Sequence, residues 1–243
     1  MRILGVIISA VVLTYLCVQG VRTFLLVRKS SELVAKSMRY EQAPANGSPR
    51  IMVIGDSTGV GTGVNDPTLS IAGRFGSEFP NALIRNESVN GWKVADALKH
   101  FPEVPAESFD VILLQIGAND IIRGTDIDEF SQSLNTLFQK STTAATHVFA
   151  LHSGNIGLAP LFPWPVSRIM RARTLRYREE YRRIAAANGV TYINLYQEAA
   201  TDPFEGKSGF YAEDLLHLTG QGYGEWYKTI RQAMTAQKVL TEN

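Results

Sequence analysis

The sequence predicts an α/β protein: a three-layer sandwich around a central parallel sheet, preceded by one N-terminal transmembrane helix. Three observations carry this reading. Residues Ile3 to Val21 form an apolar run without a charge. From Arg50 onward, short apolar runs alternate with stretches of helical periodicity, the pattern of parallel strands covered by helices on both faces. Small, polar, glycine-containing turns follow several of those runs, at the strand ends where open α/β sheets hold their ligands.

The N-terminal element comes first. Nineteen residues of helix, Ile3 to Val21, at roughly 1.5 Å rise each come close to the ~30 Å hydrocarbon core of a bilayer. Arg22 interrupts the run, Thr23 to Val27 extends it, and Arg28 and Lys29 stop it. Residues 1–28 therefore read as a membrane anchor. The rival is a cleaved signal peptide with Val18-Gln19-Gly20 as its site. That site is poor and the apolar stretch resumes beyond it, which favours the anchor. Leu16 before Cys17 argues against a lipoprotein. Arg22, Arg28, Lys29, Lys36 and Arg39 follow the span, which by the positive-inside rule points the following chain to the cytoplasm. Export also commonly begins with such a segment, so the side stays open. Residues 29–49 read as a short helix and then a polar linker, 50–237 as the main domain and 238–243 as a tail.

Within the domain, Ile51 to Ile54 is a buried strand ending in Gly55. Asn81 to Asn86 is a weaker strand, Phe109 to Ile116 the central one, and His147 to Leu151 and Val190 to Asn194 complete the sheet. Helices are predicted over about 67–79, 92–101, 126–143, 167–187 and 219–236. The last places Tyr223, Trp226, Tyr227, Ile230 and Met234 on one face.

Composition narrows the function. Hydrophobic residues make up 45% of the 243 and charged residues 19%, as in a globular protein. A net charge of +1 gives no basic excess for nucleic acid. The single cysteine, Cys17, excludes an intrachain disulfide and leaves the redox compartment open. Neither CxxC nor HExxH occurs, so no metal is expected. No cofactor is expected either, and the oligomeric state is left open.

Four motifs carry the chemistry: Gly55-Asp56-Ser57, Gly91 after the second strand, Gly117-Ala-Asn119-Asp120, and Asp214-Leu-Leu-His217. Each alone has a bland reading. Gly-Asp-Ser is a common turn, Gly117 to Asp120 could end a strand and cap a helix, and a lone Asp-x-x-His is weak. Their joint presence, in order and at strand ends, outweighs those readings. With these motifs the chain resembles the SGNH (GDSL-like) hydrolase family over about residues 50–236, which implies a flavodoxin-like sheet and a serine esterase or lipase. A serine hydroxyl needs an adjacent base. Ser57 is then the nucleophile, His217 its base, and Asp214 the group that holds the imidazole. The resemblance implies oxyanion donors at the Ser57 and Gly91 N–H groups and the Asn119 amide. Thr58, Ser88 and Leu218 depart from the family pattern without removing any of these groups.

Other features compete. The glycines at 59, 61 and 63 lack the lysine of a P-loop. A flavodoxin-like phosphate site would leave Asn119, Asp214 and His217 unexplained. His152 lies at the end of the fourth strand, more in keeping with a hydrogen-bonded structural role than with substrate contact. The Ser153 to Pro165 loop carries Leu158, Leu161, Phe162 and Trp164; these are expected either to line an acyl pocket or touch the bilayer, or to pack beneath the loop. The arginine-rich stretch after it reads as a solvated face over Met170, Thr174, Tyr177, Tyr181 and Ile184, with contact to anionic lipid as the sharper reading. The expected partner is a lipid-like or small ester, with the membrane engaged through the N-terminal helix. The alternatives are a carbohydrate O-deacetylase or O-acyltransferase in the same site, and a catalytically silent membrane adaptor.

Overall fold

The structure is a computed structural model and describes residues 2–240. Residues 241–243, the end of the expected tail, lie outside the described residues. Helix α1 spans Arg2–Lys36. It runs through Arg28 and Lys29 without a break, because no helix breaker stands between Val21 and Lys36. The expected boundary at residue 28 is therefore chemical and not conformational. The polar segment after it is packed, not loose: Gln42 and Ile84 exchange backbone hydrogen bonds of 3.0 and 2.7 Å, which shields the sheet edge at that point.

Five strands follow: β1 (Arg50–Gly55), β2 (Leu83–Asn86), β3 (Phe109–Gln115), β4 (Ala145–Leu151) and β5 (Thr191–Tyr192). All neighbours are parallel, in the order β2-β1-β3-β4-β5, the doubly wound flavodoxin-like order. The expected strand over 190–194 shrinks to two residues. Asn194 accepts the Tyr196 N–H at 3.2 Å, and this side-chain turn takes the chain away from the sheet.

The helices are α2 (Ser57–Val60), α3 (Ile71–Glu78), α4 (Val94–Lys99), α5 (Ala118–Arg123), α6 (Ile127–Ala144), α7 (Val166–Ala187) and α8 (Gly220–Ala236). The predicted helix over 67–79 divides at Ser70, which leaves helical geometry to cap the Gly73 N–H at 3.1 Å. Helices α2 and α5 are too brief to carry a periodic signal and are not predicted.

Strand period two separates two cores. Met52, Ile54, Ile112, Leu114 and Val148 face α6 and α7. Ile51, Val53, Val111, Leu113 and Phe149 face α3 and α8. Sheet and motif turns are thus clamped between helices, and the strand ends open at one edge. The arginine-rich helix α7 buries Met170, Thr174, Tyr177, Tyr181 and Ile184, as its pattern predicts.

Candidate active site

Strand β1 ends at Gly55, where a Cβ would meet the Gln115 carbonyl oxygen at 2.4 Å. Only glycine lets β1 pass so close to β3. The fully buried Asp56 then accepts from the Thr58 N–H and hydroxyl, both at 2.9 Å. This cap starts α2 with Ser57 as its first residue, so the Ser57 N–H belongs to the unpaired donors of a helix start. Burial pushes the Asp56 carboxyl up to about 6, with the Thr58 hydrogen bonds and the nearby His217 opposing.

Strand β2 leads to Gly91, whose φ of 81° favours glycine. Strand β3 leads to Gly117, φ 122°, and then to Asn119, whose side-chain amide donates to the Trp92 carbonyl at 3.1 Å. Asp120 is buried and accepts the Val94 N–H at 3.0 Å. It ties the third motif to α4, and burial raises its carboxyl above the ordinary range.

The Asp214–His217 turn is closed on itself. Asp214 Oδ1 accepts the backbone N–H groups of Leu216 and His217 at 3.1 and 3.0 Å, and Oδ2 lies 2.5 Å from His217 Nδ1. Burial alone would raise the Asp214 carboxyl; its hydrogen bonds to His217 outweigh that and leave it lowered. Asp214 therefore stands ionised beside an imidazole whose Nδ1 it fixes as donor, leaving Nε2 to take a proton.

These motifs meet at one cavity of about 250 Å³. Ser57, Gly91, Asn119 and His217 all line it. Ser57 and His217 make no direct hydrogen bond here, a looseness common before substrate is bound. The rest of the lining is largely apolar: Val34, Ile122, Ile156, Phe204, Tyr211, Leu216, Leu218 and Trp226. Arg123 also lines it and makes no ion pair among the described residues.

The loop residues named from sequence stand elsewhere. Leu158, Leu161, Phe162 and Trp164 are not among the cavity's lining residues; only the loop's start, Ser153 to Ile156, is. Leu158 closes a 3-10 turn packed on α7. Phe162 packs against the α6/α7 core, and Trp164 faces outward. The Leu161 N–H donates to the Leu215 carbonyl at 3.0 Å, which turns this part of the loop toward the back of the His217 turn. Instead that part of the cavity wall comes from Ser30 and Val34 of α1, Phe204 and Tyr211. No local motif marks these residues. For α1, the signal is a helical run of partly covered positions, Arg22, Leu26, Ser30, Leu33, Val34 and Ser37, which only packing reveals.

His152 is fully enclosed between Ser153 Oγ, 2.8 Å from Nδ1, and the Tyr192 hydroxyl, 3.1 Å from Nε2. Burial, then the Arg178 charge, hold its pKa down to about 3. It does not line the cavity.

A sequence search among curated proteins gave no match. Solved structures gave many. TesA superposes with a TM-score of 0.59 at 20% identity, over 77% of this chain and 98% of that one. A lipase/acylhydrolase from Enterococcus faecalis gives 0.59 at 22% identity, over 77% and 96%. A mutant of Axe2, an acetyl-xylooligosaccharide esterase from Geobacillus, gives 0.57 at 18% identity, over 81% and 98%. At these identities the likeness is one of fold. The model of the GDSL-like lipase/acylhydrolase family matches residues 53–224, most of the chain and all four motifs. This protein therefore belongs to the GDSL-like lipase/acylhydrolase family, whose members are ester-hydrolysing enzymes.

Proposed function

We propose that the protein cleaves acyl esters of lipid-like substrates through an acyl-enzyme on Ser57. The observation that carries this is the convergence of Ser57, His217, Gly91 and Asn119 on one cavity, with His217 held by a buried carboxylate at 2.5 Å. His217 takes the Ser57 proton as the hydroxyl oxygen attacks the ester carbonyl. The Ser57 and Gly91 N–H groups and the Asn119 amide receive the oxyanion. His217 then protonates the leaving alcohol, or thiol, and in the second step activates water to release the acid.

The lining supports the substrate class. An apolar wall of Val34, Phe204, Leu216 and Trp226 suits an acyl chain. Arg123, free of a carboxylate partner among the described residues and beside Gly91, suits a leaving group with a negative charge, as in a lysophospholipid. A carbohydrate O-deacetylase needs a small polar pocket, against which this wall argues. We also infer that α1 stays on the mature chain as an anchor. The Tyr15 hydroxyl donates to the Trp164 carbonyl at 2.6 Å; cleavage at Val18-Gln19-Gly20 would remove that contact, although it would keep Arg22, Ser30 and Val34.

The test is covalent. Wild type in detergent should be labelled by a fluorophosphonate, and Ser57→Ala should not. A folded wild type that resists large and small probes alike would sink the esterase reading in favour of a silent adaptor.

A further inference from the structure

The domain touches α1 not only beyond its apolar run but inside it. The Tyr15 hydroxyl donates to the Trp164 carbonyl at 2.6 Å. Arg22 donates to the Pro160 and Leu161 carbonyls at 2.6 and 3.3 Å. If Ile3 to Val21 fills the hydrocarbon core, Arg22 stands at its edge. Tyr15, seven residues earlier, then lies about 10 Å deeper, inside one leaflet of about 15 Å. A segment that bonds Tyr15 must enter that leaflet with it.

The segment is built for such a place. Trp164 is 66% exposed, Ile169 49% and Val166 37%, all within one loop and the first turn of α7. The described parts of the chain leave this much of each open. Two prolines flank Trp164 and offer no N–H groups that lipid would leave unpaired. A cation at the hydrocarbon edge is costly unless it finds oxygen partners, and Arg22 has two carbonyls from this same loop. Arg168, exposed between Val166 and Ile169 and without an ion pair among the described residues, is placed for anionic headgroups.

We propose that Pro160 to Ile169 is a membrane-docking face that enters the leaflet beside α1, with Trp164, Val166 and Ile169 among the acyl chains. This rests on the reading of α1 as a retained anchor. Docking has a consequence for the site. Ser30 and Val34, which line the cavity, follow Arg22 by eight and twelve residues, roughly 12–18 Å along the helix. The α1 wall of the cavity is thereby held at a fixed height of that order above the hydrocarbon. The Leu161 N–H, bonded to the Leu215 carbonyl, joins the docked loop to the His217 turn.

Tryptophan quenching tests this without reference to activity. The full chain is reconstituted in phosphatidylcholine–phosphatidylglycerol vesicles whose acyl chains carry bromine at mid-chain depth. Wild type is compared with Trp164→Phe; the other tryptophans, Trp92 and Trp226, are half-buried and buried. The expected result is clear quenching in wild type, most of which Trp164→Phe removes. A companion Ile169→Ser, Val166→Ser double variant should weaken quenching of the remaining Trp164. Absence of quenching, or quenching indifferent to Trp164→Phe, in a chain that resists alkaline carbonate extraction overturns docking and leaves the anchor standing. Release of the chain by carbonate overturns both.

Discussion

Asp214 reaches His217 because Leu215 between them takes a left-handed φ of 60°. For a branched residue that conformation costs about 1–2 kcal/mol, and the three hydrogen bonds accepted by Asp214 hold it there. The spacing in the sequence shows the pairing; the strained residue inside it is invisible until φ is known. Asn119 is legible in the same partial way. Its place after β3 follows from the motif, whereas its bond to the Trp92 carbonyl depends on a segment 27 residues away. On the role proposed for Asn119 as an oxyanion donor, Asn119→Ala should lower kcat about 10²- to 10³-fold with little change in KM. Steady-state kinetics on a soluble ester checks this; loss confined to KM would place Asn119 in ground-state binding instead.

Among the elements, α1 departs most from a simple tether. Composition identifies it as long and apolar enough to cross a membrane. Its second role appears only where Ser30 and Val34 reach the cavity and Ser37 accepts from the Asn90 amide at 2.9 Å. Asn90 in turn accepts from Thr62, so the end of α1 is tied to the loop that presents Gly91. Val34→Glu places a charge in the cavity wall proposed to hold the acyl chain. The ratio of kcat/KM for long against short acyl esters should drop about tenfold, given ~1–3 kcal/mol for a lost apolar contact in a pocket. An unchanged ratio would mean that the chain runs along the Phe204 and Trp226 side only. Helices α2 and α5 also depend on more than periodicity. Each begins where a motif places a turn, and caps and glycines set their starts.

At the scale of the whole molecule, acid stability follows from what the two cores enclose. His152 is held neutral, with a pKa of about 3 from burial against ~6.5 in an unfolded chain. Below about pH 6.5 the unfolded chain binds a proton that the native one refuses. The stabilisation is complete above that pH and is lost as pH falls toward 3. Between about pH 7.5 and about pH 5 the loss from this residue is about 2 kcal/mol. Urea titrations of wild type and His152→Gln at both pH values should therefore show a smaller pH difference in the variant. Asp214, whose carboxyl is lowered, adds its own loss at lower pH in both proteins, and it cancels in the comparison.

The α/β class, the strands and the four motifs are legible in the chain because each is written over a few adjacent residues. A strand's apolar run, Asp56 capping the turn at Ser57, and Asp214 three residues from His217 are local chemistry. What surrounds that chemistry is a product of tertiary packing. Leu158, Leu161, Phe162 and Trp164 are apolar and begin near the right strand end, yet the loop folds their side chains onto α7, into the core or outward. Val34 and Phe204, 170 residues apart in the chain, become neighbours along one cavity. Which apolar residues face a pocket is settled by packing among distant segments, each of which competes for the same buried surface, and no short window of sequence holds that outcome.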